Sequence, residues 1–231
     1  MLFKRPVNVS NKAQKPITAV VIFAWLFLSC TASQAQPSAV PAPATDTTKT
    51  KTIVVLGDSI SAGYGIQREQ GWVYLLELYL SANRPGWRVV NASISGETTG
   101  GGLARLPGIL EAMTPHVVIV ELGGNDGLRG YPVAKMQDNL RQIIELSQAQ
   151  GAATLLAEMQ IPPNYGRRYT QAFTASFGEV AATSDTALIP FLLEEVALQP
   201  EYMQADGIHP TAVAQPLIVD AVLPYLLPLL Q

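Results

Sequence analysis

Thr52-Ile53-Val54-Val55-Leu56-Gly57-Asp58-Ser59 is a short, unbroken apolar run that stops at glycine and gives way to small polar side chains. A strand buried on both faces of a parallel sheet needs such a run, because neither face meets water. The serine beyond the glycine is placed to open a helix. There the first backbone N–H groups are free and the helix dipole favours nearby negative charge.

Working outward, the same alternation recurs. Residues 72–80 are apolar on nearly every turn and run into the stop signals Asn83 and Pro85. Residues 87–91 read as a second strand, and residues 116–122 (HVVIVEL) as the strongest strand of all. Residues 133–148 have helical spacing, with Met136, Leu140, Ile143, Ile144 and Ser147 on one face. Two more strands are expected at 152–158 and 186–191, with a helix over 170–182 between them. An apolar helix over 211–227 should be interrupted or bent at Pro216 and Pro224. Five strands with intervening helices predict an α/β fold, a three-layer α/β/α sandwich on a five-stranded parallel sheet.

Composition narrows the function. The 231 residues are 48 % hydrophobic and 14 % charged, which suits one compact α/β domain and excludes a disordered chain. A net charge of −3 with scattered Lys and Arg argues against a nucleic-acid partner. One cysteine excludes an intrachain disulfide framework and a Cys-rich zinc site, and two histidines leave little for a His-based metal site. No metal or organic cofactor is expected, and the chain is expected to act as a monomer.

The first fifty residues read as an address. Lys4, Arg5, Lys12 and Lys15 precede an apolar run over 17–28, the layout of a secretory signal within residues 1–35. That run of about a dozen residues is well below the roughly 20 that span a bilayer. Two processing sites compete. Leu26-Phe27-Leu28-Ser29-Cys30 resembles a bacterial lipoprotein box that would leave Cys30 lipidated, with 1–29 removed, whereas Ser33-Gln34-Ala35 suits an ordinary signal peptidase. The cysteine just behind the apolar run and the Pro/Ala/Thr-rich linker over 36–50 favour the lipid-anchored, periplasmic reading. Without the four basic leader residues, 11 of the 15 Lys and Arg remain against 18 Asp and Glu, a net −7. Attachment to an anionic membrane would then come from lipid or apolar contacts, not from charge. The folded domain itself is expected over 51–231.

In open parallel sheets ligands sit beyond the carboxyl ends of the strands. That selects Gly57-Asp58-Ser59, Asn91-Ala92-Ser93-Ile94-Ser95-Gly96 and Gly123-Gly124-Asn125-Asp126, all rich in Gly and small polar residues. Ser59 alone is as well explained as a helix cap; as a nucleophile it needs a base. His116 lies at the opposite, amino end of its strand and reads as structural. His209 lies in Asp206-Gly207-Ile208-His209-Pro210, where a tight turn lets Asp206 accept from Nδ1 and leaves Nε2 for the serine. Alone, that turn is equally consistent with an idle histidine. Donors for an oxyanion are available from the Ser59 and Gly96 backbone N–H groups and the Asn125 side-chain amide. Each has a bland reading as a turn former. Their joint presence on three successive strand-end loops is much harder to explain blandly.

These four blocks, in this order, resemble those of the SGNH (GDSL-type) hydrolases, and the similarity runs from about Ile53 to the C-terminus. It includes Leu103-Ala104-Arg105-Leu106-Pro107, Asn164-Tyr165-Gly166-Arg167-Arg168-Tyr169 and Gln215-Pro216. The resemblance implies the flavodoxin-like fold of that family. It implies Ser59 as nucleophile, His209 as base and Asp206 as its orienter, with Ser59, Gly96 and Asn125 forming the oxyanion hole. It also implies hydrolysis of acyl esters and thioesters, of arylesterase, thioesterase or lysophospholipase type. Asp58 is expected to cap the following helix.

Leu128, Tyr131, Ile161, Pro162, Pro163, Tyr165 and Met203 fall on expected loops near the same rim and are candidates for an acyl groove. Gly127-Leu128-Arg129-Gly130-Tyr131 resembles the family's mobile loop beside the site, whose closure would set chain-length preference. Two other functions stay open on sequence alone: an acetyl esterase acting on cell-wall carbohydrate, and a non-catalytic envelope lipoprotein that binds a partner.

Overall fold

The computed structural model describes residues 50–231. The leader, both processing sites, Cys30 and all but the last residue of the linker lie outside the described residues.

Five parallel strands form one sheet: β1 (Lys51–Gly57), β2 (Trp87–Asn91), β3 (Val117–Glu121), β4 (Ala153–Ala157) and β5 (Ala187–Ile189), in the order β2-β1-β3-β4-β5. The helices are α1 (Ser59–Ala62), α2 (Trp72–Asn83), α3 (Thr99–Met113), α4 (Gly124–Leu128), α5 (Val133–Ala149), α6 (Arg167–Thr183) and α7 (Gln215–Leu226). Alternation along the strands divides the core in two. Ile53, Val55, Val117 and Ile119 face Trp72, Leu76, Leu80, Ile218 and Val222 from α2 and α7. Leu56, Val118 and Val120 face Leu106, Met136, Leu140, Phe173 and Phe177 from α3, α5 and α6. Each fully buried Leu, Ile or Phe contributes roughly 1.5–3 kcal/mol relative to exposure, so both faces must stay covered.

The chain leaves β1 toward β2 on one side, and continues from β3 to β4 and β5 on the other. The strand order therefore reverses between β1 and β3, where α/β sheets open a crevice at their carboxyl ends. Register brings Gly57 opposite Glu121 at that point. The crevice is thus walled by the segments that carry Ser59 and Asn125.

Four local expectations need correction. Helix α3 is not among the expected elements, and Gly100-Gly101-Gly102 fall in its first turn. Thr98 caps it by accepting from the Gly101 N–H at 3.3 Å, and a Cβ on Gly102 would lie 2.4 Å from Leu122 Cδ1, so glycine is what lets the helix press onto the sheet. Residues 124–128, expected as loop, coil into α4. Strand β5 has three residues rather than six. Pro216 does not interrupt a helix: a 3₁₀ turn over Ala212–Ala214 precedes α7, and Pro216 occupies the first turn of α7, where its missing N–H costs nothing. By length and composition, residues 212–229 are apolar enough to cross a membrane, but Ile218, Val219, Val222 and Leu226 are buried in the core.

Candidate active site

Gly57 ends β1 and Ser59 opens α1, so the chain turns sharply at Asp58. Asp58 Oδ1 accepts the Ile60 N–H at 3.0 Å, capping α1 as its side chain suggests. Beneath the turn lies a group the sequence reading missed. Glu121 is fully buried; its Oε2 accepts from the Asp58 N–H at 3.2 Å and from Ser61 Oγ at 2.5 Å. A Cβ on Gly57 would come within 2.6 Å of that same oxygen, so only glycine fits there. Glu121 Oε1 has no partner among the described residues. Burial, and then the neighbouring Asp58 charge, push the Glu121 carboxyl well above the usual range, and burial pushes Asp58 up to about 6. The only signal for Glu121 in the sequence was a single charge within HVVIVEL.

His209 comes from a turn after the sheet. Met203 and Pro210 pair as an antiparallel bridge, and the Gln204 N–H donates to the His209 carbonyl at 2.8 Å, closing residues 204–209 into a tight loop. Within it Asp206 Oδ1 accepts the Ile208 and His209 N–H groups at 2.9 and 3.0 Å. Asp206 Oδ2 lies 2.6 Å from His209 Nδ1, and His209 Nε2 lies 2.9 Å from Ser59 Oγ. The His209 side-chain contact, followed by the two backbone donors, holds Asp206 down to about 2. An ionised Asp206 keeps the proton on Nδ1 and leaves Nε2 to accept from the serine hydroxyl. The Tyr64 ring stands against the imidazole, with centroids 4.5 Å apart.

Asn125, in the first turn of α4, donates from Nδ2 to Asp58 Oδ2 at 3.1 Å, and its second N–H stays available. Helix α4 is pinned to α3 by Asp126, which accepts from the Thr99 N–H and Oγ1 at 2.8 and 2.7 Å. The Gly96 loop is tied down by the Ile94 N–H donating to the Gly57 carbonyl at 3.1 Å, and by Arg129 Nη2 donating to the Gly96 carbonyl at 3.0 Å. Ser59, Gly96, Asn125 and His209 all border one groove of about 540 Å³. His116, by contrast, accepts the Thr52 N–H through Nδ1 at the amino end of the strands.

The groove is mostly apolar. Leu128, Ile161, Pro162, Pro163 and Met203 line it, joined by Met159, Phe191, Leu193, Ala197, Leu198 and Ile208, which the sequence reading did not single out. Tyr131 and Tyr165 are not among its walls. Tyr165 Oη donates to the Leu128 carbonyl at 2.9 Å and Tyr169 Oη donates to the Tyr131 carbonyl at 2.7 Å. Tyr165 thus braces the Leu128 segment from outside the groove. Tyr131, 45 % exposed, is held through its backbone and not by a ligand-facing ring. Among the described residues no three His, Cys, Asp or Glu side chains converge as a metal site.

The chain is similar to known proteins in sequence and in fold. The model of the GDSL-like Lipase/Acylhydrolase family matches residues 55–215. Esterase TesA of Pseudomonas aeruginosa is 52 % identical over 180 residues, covering 78 % of this chain and 90 % of that protein. Thioesterase 1/protease 1/lysophospholipase L1 of Escherichia coli K12 is 47 % identical over 178 residues, covering 77 % and 84 %. The crystal structure of the psychrotrophic esterase EstA from a Pseudoalteromonas species superposes with a TM-score of 0.74 at 47 % identity, covering 77 % of this chain and 97 % of that one.

Proposed function

The chain belongs to the GDSL-like lipase/acylhydrolase family, and from that premise we propose that it hydrolyses carboxylic esters and thioesters of acyl chains through a Ser59–His209–Asp206 triad. The observation that carries the reading is the unbroken chain of short contacts, 2.9 Å from Ser59 to His209 and 2.6 Å from His209 to Asp206, opening onto an apolar groove. His209 Nε2 takes the hydroxyl proton as Ser59 Oγ attacks the acyl carbonyl carbon. The carbonyl oxygen becomes an oxyanion facing the Ser59 and Gly96 N–H groups and the free Asn125 N–H. His209 returns the proton to the departing alkoxide or thiolate, leaving acyl-Ser59. A water deprotonated by His209 then releases the carboxylic acid and restores the serine.

The groove favours medium or long acyl chains over acetyl. An acetyl group fills a small fraction of about 540 Å³, and a wall of Leu, Ile, Met and Phe rewards each buried methylene by about 0.8 kcal/mol. Names of relatives support the same chemistry: esterase, thioesterase and lysophospholipase. One chain supplies all three triad residues, which supports a monomer as the working unit. The basic-then-apolar leader, Cys30 and the Pro/Ala/Thr-rich linker support export to the periplasm with lipid attachment at Cys30.

The test is hydrolysis of p-nitrophenyl esters from acetyl to palmitoyl by the wild type and Ser59→Ala. Activity that peaks at medium or long chains and vanishes in the variant is expected. Activity confined to acetyl esters would move the substrate to acetylated carbohydrate, and equal activity in the variant would remove Ser59 from the mechanism.

A further inference from the structure

Gln204 sits two residues before Asp206, and its side chain makes no hydrogen bond to Ser59, Asp206 or His209. Its Nε2 donates in two directions, to the Tyr64 carbonyl at 2.8 Å and to the Pro210 carbonyl at 3.0 Å. The first acceptor belongs to the segment that carries the nucleophile: the Tyr64 N–H donates to the Ser59 carbonyl at 3.0 Å. The second belongs to the residue that follows His209. One side-chain amide therefore spans the two loops whose separation sets the Ser59–His209 distance, although they lie 140 residues apart in the chain.

Three further features serve the same junction. Gln204 N–H donates to the His209 carbonyl and its own carbonyl accepts the Gly207 N–H at 2.9 Å, so the amide is mounted on the closed turn and not on a free strand. The Tyr64 ring, next to the gripped carbonyl, packs against the His209 imidazole. Gly65, with φ +77°, leaves room for the amide: a Cβ there would lie 2.2 Å from Gln204 Oε1. Both Gln204 N–H groups are engaged on carbonyl oxygens, so the side chain has no donor left for substrate.

We propose that Gln204 is a positioning residue that latches the His209 turn to the Tyr64 segment and so holds Nε2 at proton-transfer distance from Ser59. The proposal rests on the Ser59–His209–Asp206 reading of the site. Its consequence is specific to proton movement. A mispositioned imidazole slows proton transfer to and from the reacting oxygens while the groove and the oxyanion donors stay in place. The loss should therefore grow with the leaving group's need for a proton: small for p-nitrophenolate, larger for an alkoxide.

The experiment compares Gln204→Ala and Gln204→Glu with the wild type and Ser59→Ala on p-nitrophenyl hexanoate and ethyl hexanoate. Active sites are counted by titration with a p-nitrophenyl alkylphosphonate, and folding is checked by thermal melting. Gln204→Glu keeps the size of the side chain but turns carboxylate oxygens toward two carbonyls, so it breaks the latch without leaving a gap. The expected result is kcat/KM per titrated site, which reports acylation alone, lower by about 10–100-fold on the p-nitrophenyl ester, with a several-fold larger loss on the ethyl ester. Equal losses of kcat/KM on both esters, or wild-type kcat/KM per site in both variants, would overturn the latch. Persistence of activity in Ser59→Ala would instead overturn the triad reading, so the two failures are distinguishable.

Discussion

Glu121 holds up Asp58 from below: the buried carboxyl at the end of β3 accepts the Asp58 backbone N–H at 3.2 Å, while Asp58 in turn accepts from the side chain of Asn125. The turn that carries Ser59 and the side chain of Asn125 are therefore joined by two adjacent buried carboxyls. Neither has an ion-pair partner among the described residues. Burial, and then the neighbouring Asp58 charge, raise the Glu121 carboxyl, so its protonated form is favoured relative to that of an exposed glutamate.

That protonation state makes a stability prediction. A folded-state pKa raised above the unfolded value of about 4.3 gives stability that is complete below that value and is lost as pH rises through the folded pKa. Glu121→Gln, neutral at every pH and similar in shape, should therefore gain on the wild type in melting temperature from pH 4 upward. Glu121→Ala, which strips partners from the Asp58 N–H and Ser61 Oγ, should lose about 1–3 kcal/mol. A constant gap between the glutamine variant and the wild type from pH 4 to 9 would contradict the raised carboxyl.

Asp206 has the opposite sign. Held down to about 2, it contributes stability that is present above about 4 and lost as pH falls toward 2. It stays ionised from pH 4 to 9, so no activity step in that window belongs to it. Asp206→Asn, which no longer holds the proton on Nδ1, should lower kcat by about 10²–10⁴-fold across the window without introducing a new step. Steady-state pH profiles of the two proteins check this.

Asn125→Ala removes one oxyanion donor and leaves the groove walls intact. The expected loss is about 10²–10³-fold in kcat with KM little changed. A change in KM alone would make Asn125 a substrate-binding residue and leave the oxyanion with two donors.

Chain-length preference should follow the groove walls. Leu128→Ala, at a lining position, should cut kcat/KM for octanoyl relative to butanoyl esters by about tenfold, the scale of a lost Leu contact. Tyr131→Ala, outside the groove, should leave that ratio unchanged. The reverse pattern would show that the 127–131 segment rearranges around substrate.

Much of this was legible in the sequence, for identifiable reasons. β1 and β3 are continuous apolar runs because both faces of a parallel sheet are buried, and the helical spacing of Met136, Leu140, Ile143 and Ile144 matches one covered face. Ser59, His209 and Asp206 became candidates through strand ends, a proline and a tight turn, their roles through the resemblance of the four blocks, and the structure places their side chains within hydrogen-bond reach. What escaped depends on packing between distant segments. Three glycines open α3, and the use of one of them, Gly102, is close approach to Leu122. Glu121 and Gln204 look ordinary in sequence, and only the register of β1 with β3 and the folding back of the 204–209 turn reveal what they touch. Tyr131 and Tyr165 misled because aromatic loop residues suit a groove wall and a loop brace equally well.

The central claim is that Ser59 is the acyl-accepting nucleophile. Its most direct measurement is to label the protein with a p-nitrophenyl alkylphosphonate, digest it and locate the adduct by tandem mass spectrometry, with Ser59→Ala and His209→Ala alongside. One phosphonyl group per chain is expected on Ser59, stoichiometric with loss of esterase activity, with none in Ser59→Ala and slow labelling in His209→Ala. Loss of activity with the label on another residue, or stoichiometric labelling of Ser59→Ala, would contradict it.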